Sequence, residues 1–285
     1  MIGIIDVGGG MRAVYGTGAL DYLMEHGVEF DYGIGISAGS ANIISGFAGQ
    51  NRRAYRFYTE YAFRDEYMSR ANYFRSHNFI DFNYVYDELS GHDGEDPLDY
   101  EAFVRSGKKI RIVATNAVTA KPHFFTNEDL WQDHYDPVKA SCSVPVVNQP
   151  YVIDGVPYFD GAISSPIPIR KAFEEGCDKV VIVLTRPLGR KRTEKRDAAF
   201  AAILERKYPE VASAMRTSAK RYDDALSIAL EYQHDGKALI IAPDSIGHMK
   251  TLKKDLGGVR ALYRKGRRDA RRVLDFLDGA KSIAL

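Results

Sequence analysis

The sequence predicts an α/β protein with a mainly parallel central sheet. Short apolar runs of strand length recur along it: IGIIDV (2–7), FDYGIGI (30–36), KKIRIVAT (108–115), DKVVIVLT (178–185) and KALIIA (237–242). Such runs suit strands buried in a parallel sheet. Segments of helical character separate them, and this alternation is the signature of the class. Finally, 285 residues that are 45% hydrophobic and 27% charged can bury a large core.

Residues 2–7 form the first strand, interrupted by Gly3 and stopped at Gly8. A helix follows, with Leu20, Leu23 and Met24 at i, i+3 and i+4 and Gly27 placed to end it in the left-handed conformation. FDYGIGI is the second strand and residues 38–48 the second helix. Residues 50–100 are rich in Tyr, Phe and Arg with weak periodicity, and read as helices and loops that cover a site or fill the core. YVIDGVPYF (151–159) reads as a hairpin centred on Asp154-Gly155. In 168–176, Ile169, Ala172 and Phe173 share a helix face and Gly176 can cap it. Residues 186–236 are helical and charged, with RPLGRKRTEKR (186–196) expected to be the most mobile stretch. From Leu256 to Leu277 runs an amphipathic helix, with a break expected at Gly266. The whole chain, 1–285, is read as one domain in which 186–285 forms a mostly helical extension with one further strand.

Several function classes are disfavoured. The net charge of +1 creates no field that steers the chain to nucleic acid. No apolar run is long enough to span a membrane, and MIGIIDVGGG lacks the basic start of a signal peptide. Cys142 and Cys177 have no metal or redox spacing. The expectation is a cytoplasmic chain with no metal and no cofactor. The basic residues of the C-terminal helix, Arg260, Arg264, Lys265, Arg267, Arg268, Arg271 and Arg272, fit a solvated face; the alternative is peripheral contact with an anionic membrane surface. Oligomeric state is not encoded in any pattern.

Chemistry concentrates in three places. Gly35-Ile36-Ser37-Ala38-Gly39 matches G-x-S-x-G, a sharp strand-to-helix turn that exposes a serine hydroxyl. Side chains at i−2 and i+2 would collide across that turn, and the following helix N-terminus favours negative charge beside the serine. Gly8-Gly9-Gly10-Met11-Arg12-Ala13 also follows a strand. It reads either as a dinucleotide fingerprint or as an oxyanion loop. The first reading needs an acid at the end of the second strand, where Gly35-Ile36-Ser37 stands instead, with Asp31 at the wrong end. Arg12 reads as a surface residue or as positive charge near the site.

The base has two candidates. His248 occupies the position an α/β-hydrolase order would give it, but Ser37 comes too early in the chain for that fold. The other six histidines have no motif around them. Asp160-Gly161-Ala162 is a turn by default; alternatively, an aspartate on such a tight loop can take the serine proton directly.

Together, Gly8-Gly9-Gly10-Met11-Arg12, Gly35-Ile36-Ser37-Ala38-Gly39 and Asp160-Gly161-Ala162 resemble the motifs of bacterial patatin-like phospholipases. ASCSVPVV (140–147), SPIPI (165–169), CDKVVIVLTRP (177–187) and IIAPDSIGHMKTLKKD (240–255) are similar to that family as well. The resemblance implies a three-layer α/β/α fold and a serine–aspartate dyad that hydrolyses acyl esters of lipids. Ser37 would be the nucleophile, Asp160 the base, and Gly8, Gly9, Gly10 and Arg12 the oxyanion loop. Ala13 departs from the pattern, which has glycine after the basic residue. A non-catalytic lipid-binding member is the alternative.

Overall fold

The computed structural model describes residues 1–189 and 195–281. In chain order the elements are β1 (Ile2–Asp6), α1 (Val14–Glu25), β2 (Tyr32–Ile36), α2 (Ala38–Phe47), α3 (Arg53–Thr59), α4 (Arg70–Ser76), α5 (Tyr100–Arg105), β3 (Lys109–Asn116), β4 (Pro122–Phe125), α6 (Asp136–Cys142), β5 (Tyr151–Ile153), β6 (Val156–Asp160), α7 (Ile169–Glu174), β7 (Lys179–Val183), α8 (Lys195–Leu204), α9 (Pro209–Arg216), α10 (Ser218–His234), β8 (Ala238–Ile241), α11 (Leu256–Asp269) and α12 (Arg271–Lys281).

The hydrogen-bonded path through the sheet runs β5–β6–β3–β2–β1–β7–β8, with β4 also paired to β3. β3, β2, β1, β7 and β8 are mutually parallel, and the additions at β3 are antiparallel. The apolar runs are buried on both faces, and the period of two divides them between two cores. Ile4, Ile112 and Val181 face one helical layer; Ile5, Val113 and Ile182 face the other. The result is the expected three-layer α/β/α architecture.

Registers place the site. On one edge of β3, Ile112 and Val113 pair with Gly35 and Ile36 of β2. On the opposite edge the same two residues pair with β4, which continues to Ala114 and Thr115. Ala114 also pairs with Asp160 of β6, so β6 must lie on the edge that β2 occupies, end to end with it. The end of β2 and the end of β6 therefore meet beside consecutive residues of β3.

Two expectations change. The C-terminal helix breaks at Ala270, between α11 and α12, and not at Gly266. Gly266 lies inside α11, where a side chain would overlap the Tyr15 carbonyl, so its smallness serves close packing on α1. Strand β4 was not anticipated: PHFF has no alternation, and Pro122 stands at its first position, where a missing N–H is tolerated. The hairpin turn at Asp154 (φ 49°) and Gly155 (φ 77°) has both centres left-handed, as a two-residue connection requires. The expected mobility of 186–196 concerns in part residues 190–194, which lie outside the described residues. Among the tail's cations, Arg267 pairs with Glu25 at 2.6 Å and Lys265 with Asp244 at 2.5 Å, while Arg260, Arg264, Arg271 and Arg272 are exposed.

Candidate active site

Ser37 stands at the corner between β2 and α2 with φ 54° and ψ −135°. For a residue with a Cβ this conformation costs on the order of 1–3 kcal/mol and persists only when its surroundings impose it. They do. The Ser37 N–H donates to Ser141 Oγ at 2.8 Å, and Ser141 Oγ donates to the Val113 carbonyl at 2.6 Å. A Cβ on Gly35 would overlap Ser40, and one on Gly39 would overlap the Asp6 carbonyl, so both motif glycines are required by close approach.

The glycine loop is held at both ends. Gly8 adopts φ +65° with its Cα packed against the Ile36 carbonyl of the serine corner. Its N–H donates to Asp6 Oδ1 at 2.9 Å. At the other end the Met11 N–H donates to the Thr251 carbonyl at 2.8 Å. Between these ties, the Gly9 and Gly10 N–H groups donate to no acceptor among the described residues. Arg12 is only 6% exposed and lies against Gly9 on the cavity wall, which overturns its reading as a surface residue. Ala13 has φ −65° and ψ −11°, an ordinary helical conformation, so the departure from glycine strains nothing here.

Asp6 was not singled out by sequence reasoning, although an acid in an otherwise apolar strand, two residues before a glycine triplet, was a visible signal. Its carboxylate is fully buried. It accepts from the Gly8 N–H and from Asn42 Nδ2, both at 2.9 Å. Burial pushes its pKa up to about 6, with these two hydrogen bonds opposing the shift. Asn42 also donates to the Ala13 carbonyl at 2.9 Å, tying α2 to the start of α1.

Asp160 ends β6 and is 7% exposed. Its N–H donates to the Ser143 carbonyl at 2.8 Å, and its Oδ1 accepts from the Ala162 N–H at 2.9 Å. Gly161 passes so close to the Val113 carbonyl that any side chain would overlap it. The ASCSVPVV segment thus serves both residues: Ser141 fixes Ser37 and Ser143 fixes Asp160. Between them, the Cys142 thiol lies 3.7 Å from Tyr86 Oη in a shared hydrogen bond and feels the Asp160 charge. Burial first, then that charge, pushes the thiol up to about 12, so it is an un-ionised neighbour and not a rival nucleophile.

Ser37, Asp160, Gly8, Gly9, Gly10, Arg12 and Ala162 line one cavity of about 390 Å³, a size that suits a small ligand or part of a lipid. Its apolar wall includes Phe57, Tyr58, Tyr61 and Tyr67 from the aromatic middle section, with Ile80, Val85 and Tyr86. The other aromatics of that section divide between cavity, core and surface: Phe82 also lines the cavity, Tyr55 packs on Tyr263, and Phe74 is 82% exposed. Among the described residues no histidine lines the cavity, and His248 is exposed in the loop after β8. Asp31, the acid that a dinucleotide site would require elsewhere, is engaged by the Ile2 N–H at 2.7 Å.

Fold and site together define a three-layer α/β protein with a strained serine after the second strand and a glycine-rich loop after the first. A family model described as patatin-like phospholipase matches residues 7–173, more than half of the sequence, and the chain belongs to that family. A second model, a domain of unknown function (DUF6363), matches residues 208–278. The uncharacterized protein YjjU of Escherichia coli (strain K12) is 27% identical over 191 residues, covering 65% of this chain and 52% of its own length. The chain thus spans about half the length of this curated relative. The crystal structure of VipD from Legionella pneumophila shares the fold, with a TM-score of 0.51 over 96% of this chain and 66% of that one at 14% identity.

Proposed function

We propose that the protein is a serine acyl hydrolase that cleaves acyl esters of lipids, including phospholipids, through Ser37 and Asp160. The observation that carries this reading is the register at β3: Val113 and Ala114, consecutive residues, face Ile36 and Asp160. That brings the serine corner and the aspartate loop to one point of the sheet edge. Asp160 takes the Ser37 proton as Oγ attacks the ester carbonyl, and the N–H groups of Gly9, Gly10 and Ala38 receive the developing oxyanion. Asp160 returns that proton to the alcohol as it leaves, and then, as a carboxylate again, activates the water that releases the fatty acid and restores Ser37. Membership of the patatin-like phospholipase family supports a lipid acyl hydrolase; a phospholipase A or lysophospholipase specificity is our extension of it. Two free, buried cysteines fit a reducing, cytoplasmic setting. Hydrolysis of p-nitrophenyl esters and of phosphatidylcholine by the full chain tests the reading. Ser37→Ala should fold as the parent does and lose both activities. Retained hydrolysis in that variant refutes it.

A further inference from the structure

Residues 208–278 match a domain of unknown function, yet this part of the chain reaches the cavity at several points. Met215, Ser218 and Tyr222 stand on its wall, as do Thr251 and Leu252 from the loop between β8 and α11. The Thr251 carbonyl accepts the Met11 N–H, and it lies where a Cβ on Gly10 would be. Three residues later, Lys254 Nζ donates to the Arg64 carbonyl at 2.8 Å and to the Met68 carbonyl at 3.2 Å. Those carbonyls flank Tyr67, which lines the cavity from the aromatic cover. One short loop therefore grips the glycine loop with one residue and the cover with another.

The loop is itself anchored. Ile246 and Met249 are buried in the main core. At its far end Asp255 caps α11 by accepting the Gly258 N–H at 3.0 Å. α11 lies directly on α1: Gly18 faces the Tyr263 backbone, Gly266 faces that of Tyr15, and Tyr263 Oη donates to Asp21 Oδ2 at 2.8 Å.

We propose that residues 246–255 form a brace between the glycine loop and the aromatic cover, making the C-terminal segment a wall of the acyl site that sets how a long acyl chain is held. In this view Leu252 is a specificity-determining residue and Lys254 a positioning residue. Removing the Lys254 ammonium leaves two partly buried carbonyls without their charged donor, and the cover loses its tie to the brace. The inference rests on the acyl-hydrolase reading for its ligand class, so its test separates the two.

Laurate binding to the full-length Ser37→Ala protein, measured by calorimetry, reads the wall without catalysis. Lys254→Met and Leu252→Trp should each weaken laurate binding about tenfold, the scale of a lost or blocked fit in an apolar pocket. Lys254→Arg should stay within about threefold of the parent, because it keeps the charged donor. With Ser37 restored, Lys254→Met should lower the ratio of kcat/KM for p-nitrophenyl laurate over butyrate about tenfold, with the change carried by KM. Laurate affinity unchanged in both variants overturns the proposal, as does a parent that does not bind laurate. Should Lys254→Met fail to unfold cooperatively, Leu252→Trp decides alone. If binding responds as stated but the native protein hydrolyses no ester, the wall stands and the hydrolase reading falls.

Discussion

The floor of the cavity and its cover are built on different principles. On the floor, Ser37, Asp160 and the glycine loop sit at strand ends, each backbone fixed by hydrogen bonds to the buried Ser141, Ser143 and Asp6 and to the half-buried Thr251. The cover consists of short helices and irregular turns, with a π-helical turn at Tyr84–Leu89 and aromatic rings meeting edge to face, such as Phe57 with Tyr67. It is tied to the rest of the molecule mostly through side chains: Arg53 donates to Ser45, Asn148 bonds both backbone groups of Ile80, Lys139 pairs with Asp87, and Lys254 donates to the Arg64 and Met68 carbonyls. Under the proposed function, the contrast follows from the work each part would do. Stabilising an oxyanion needs donors fixed in advance of the reaction, whereas holding an acyl chain needs only apolar volume.

Variants on the two sides should therefore differ in kind as well as size. The largest effect belongs to the floor: Ser37→Ala should lower kcat by about 10⁶-fold, to background, as removal of an acyl-transfer nucleophile does elsewhere. Ser141→Ala comes next. It leaves the buried Ser37 N–H without its acceptor, a cost of about 1–3 kcal/mol. Expressed at the transition state, this should lower kcat about 10–100-fold with KM little changed. On the cover, Phe57→Ala should do the reverse, raising KM for a laurate ester about tenfold and sparing kcat. A fall in kcat from Phe57→Ala matching that of Ser141→Ala would erase the distinction.

Asp6 sharpens the comparison through pH. Its pKa of about 6 in the fold exceeds the ordinary 3.8, so between those values the folded state binds more protons than the unfolded chain. Stability from this group is present at low pH and declines as pH rises through that window, by about 3 kcal/mol in total. Urea unfolding of the parent and of Asp6→Asn between pH 4 and 7 measures the difference. The gap should shift in favour of the neutral variant as pH rises; a gap independent of pH contradicts the burial of an ionisable Asp6.

Much of the floor was legible because its constraints are local. The glycines at 8–10, 35 and 39 announce close approach, and the apolar runs announce the strands between them. Asp160 was different: Asp-Gly is an ordinary turn, so its residues made it only one of two candidate bases, and resemblance to a family then favoured it. Ser141, Ser143 and Thr251 lie in segments that resemble the family but showed no role of their own, because they act through a hydroxyl or a carbonyl on segments brought together by the sheet. The helix break was misplaced since Gly266 can serve packing as well as termination, and nothing local distinguishes the two. The cover was anticipated as helices and loops, but which of its rings turn inward depends on tertiary packing alone.

The pairing of Ser37 with Asp160 is tested most directly by fluorophosphonate labelling followed by peptide mass spectrometry. The account predicts a single adduct, on Ser37, formed about 10³-fold more slowly in Asp160→Asn. An adduct on another residue, or an undiminished rate in that variant, would contradict it.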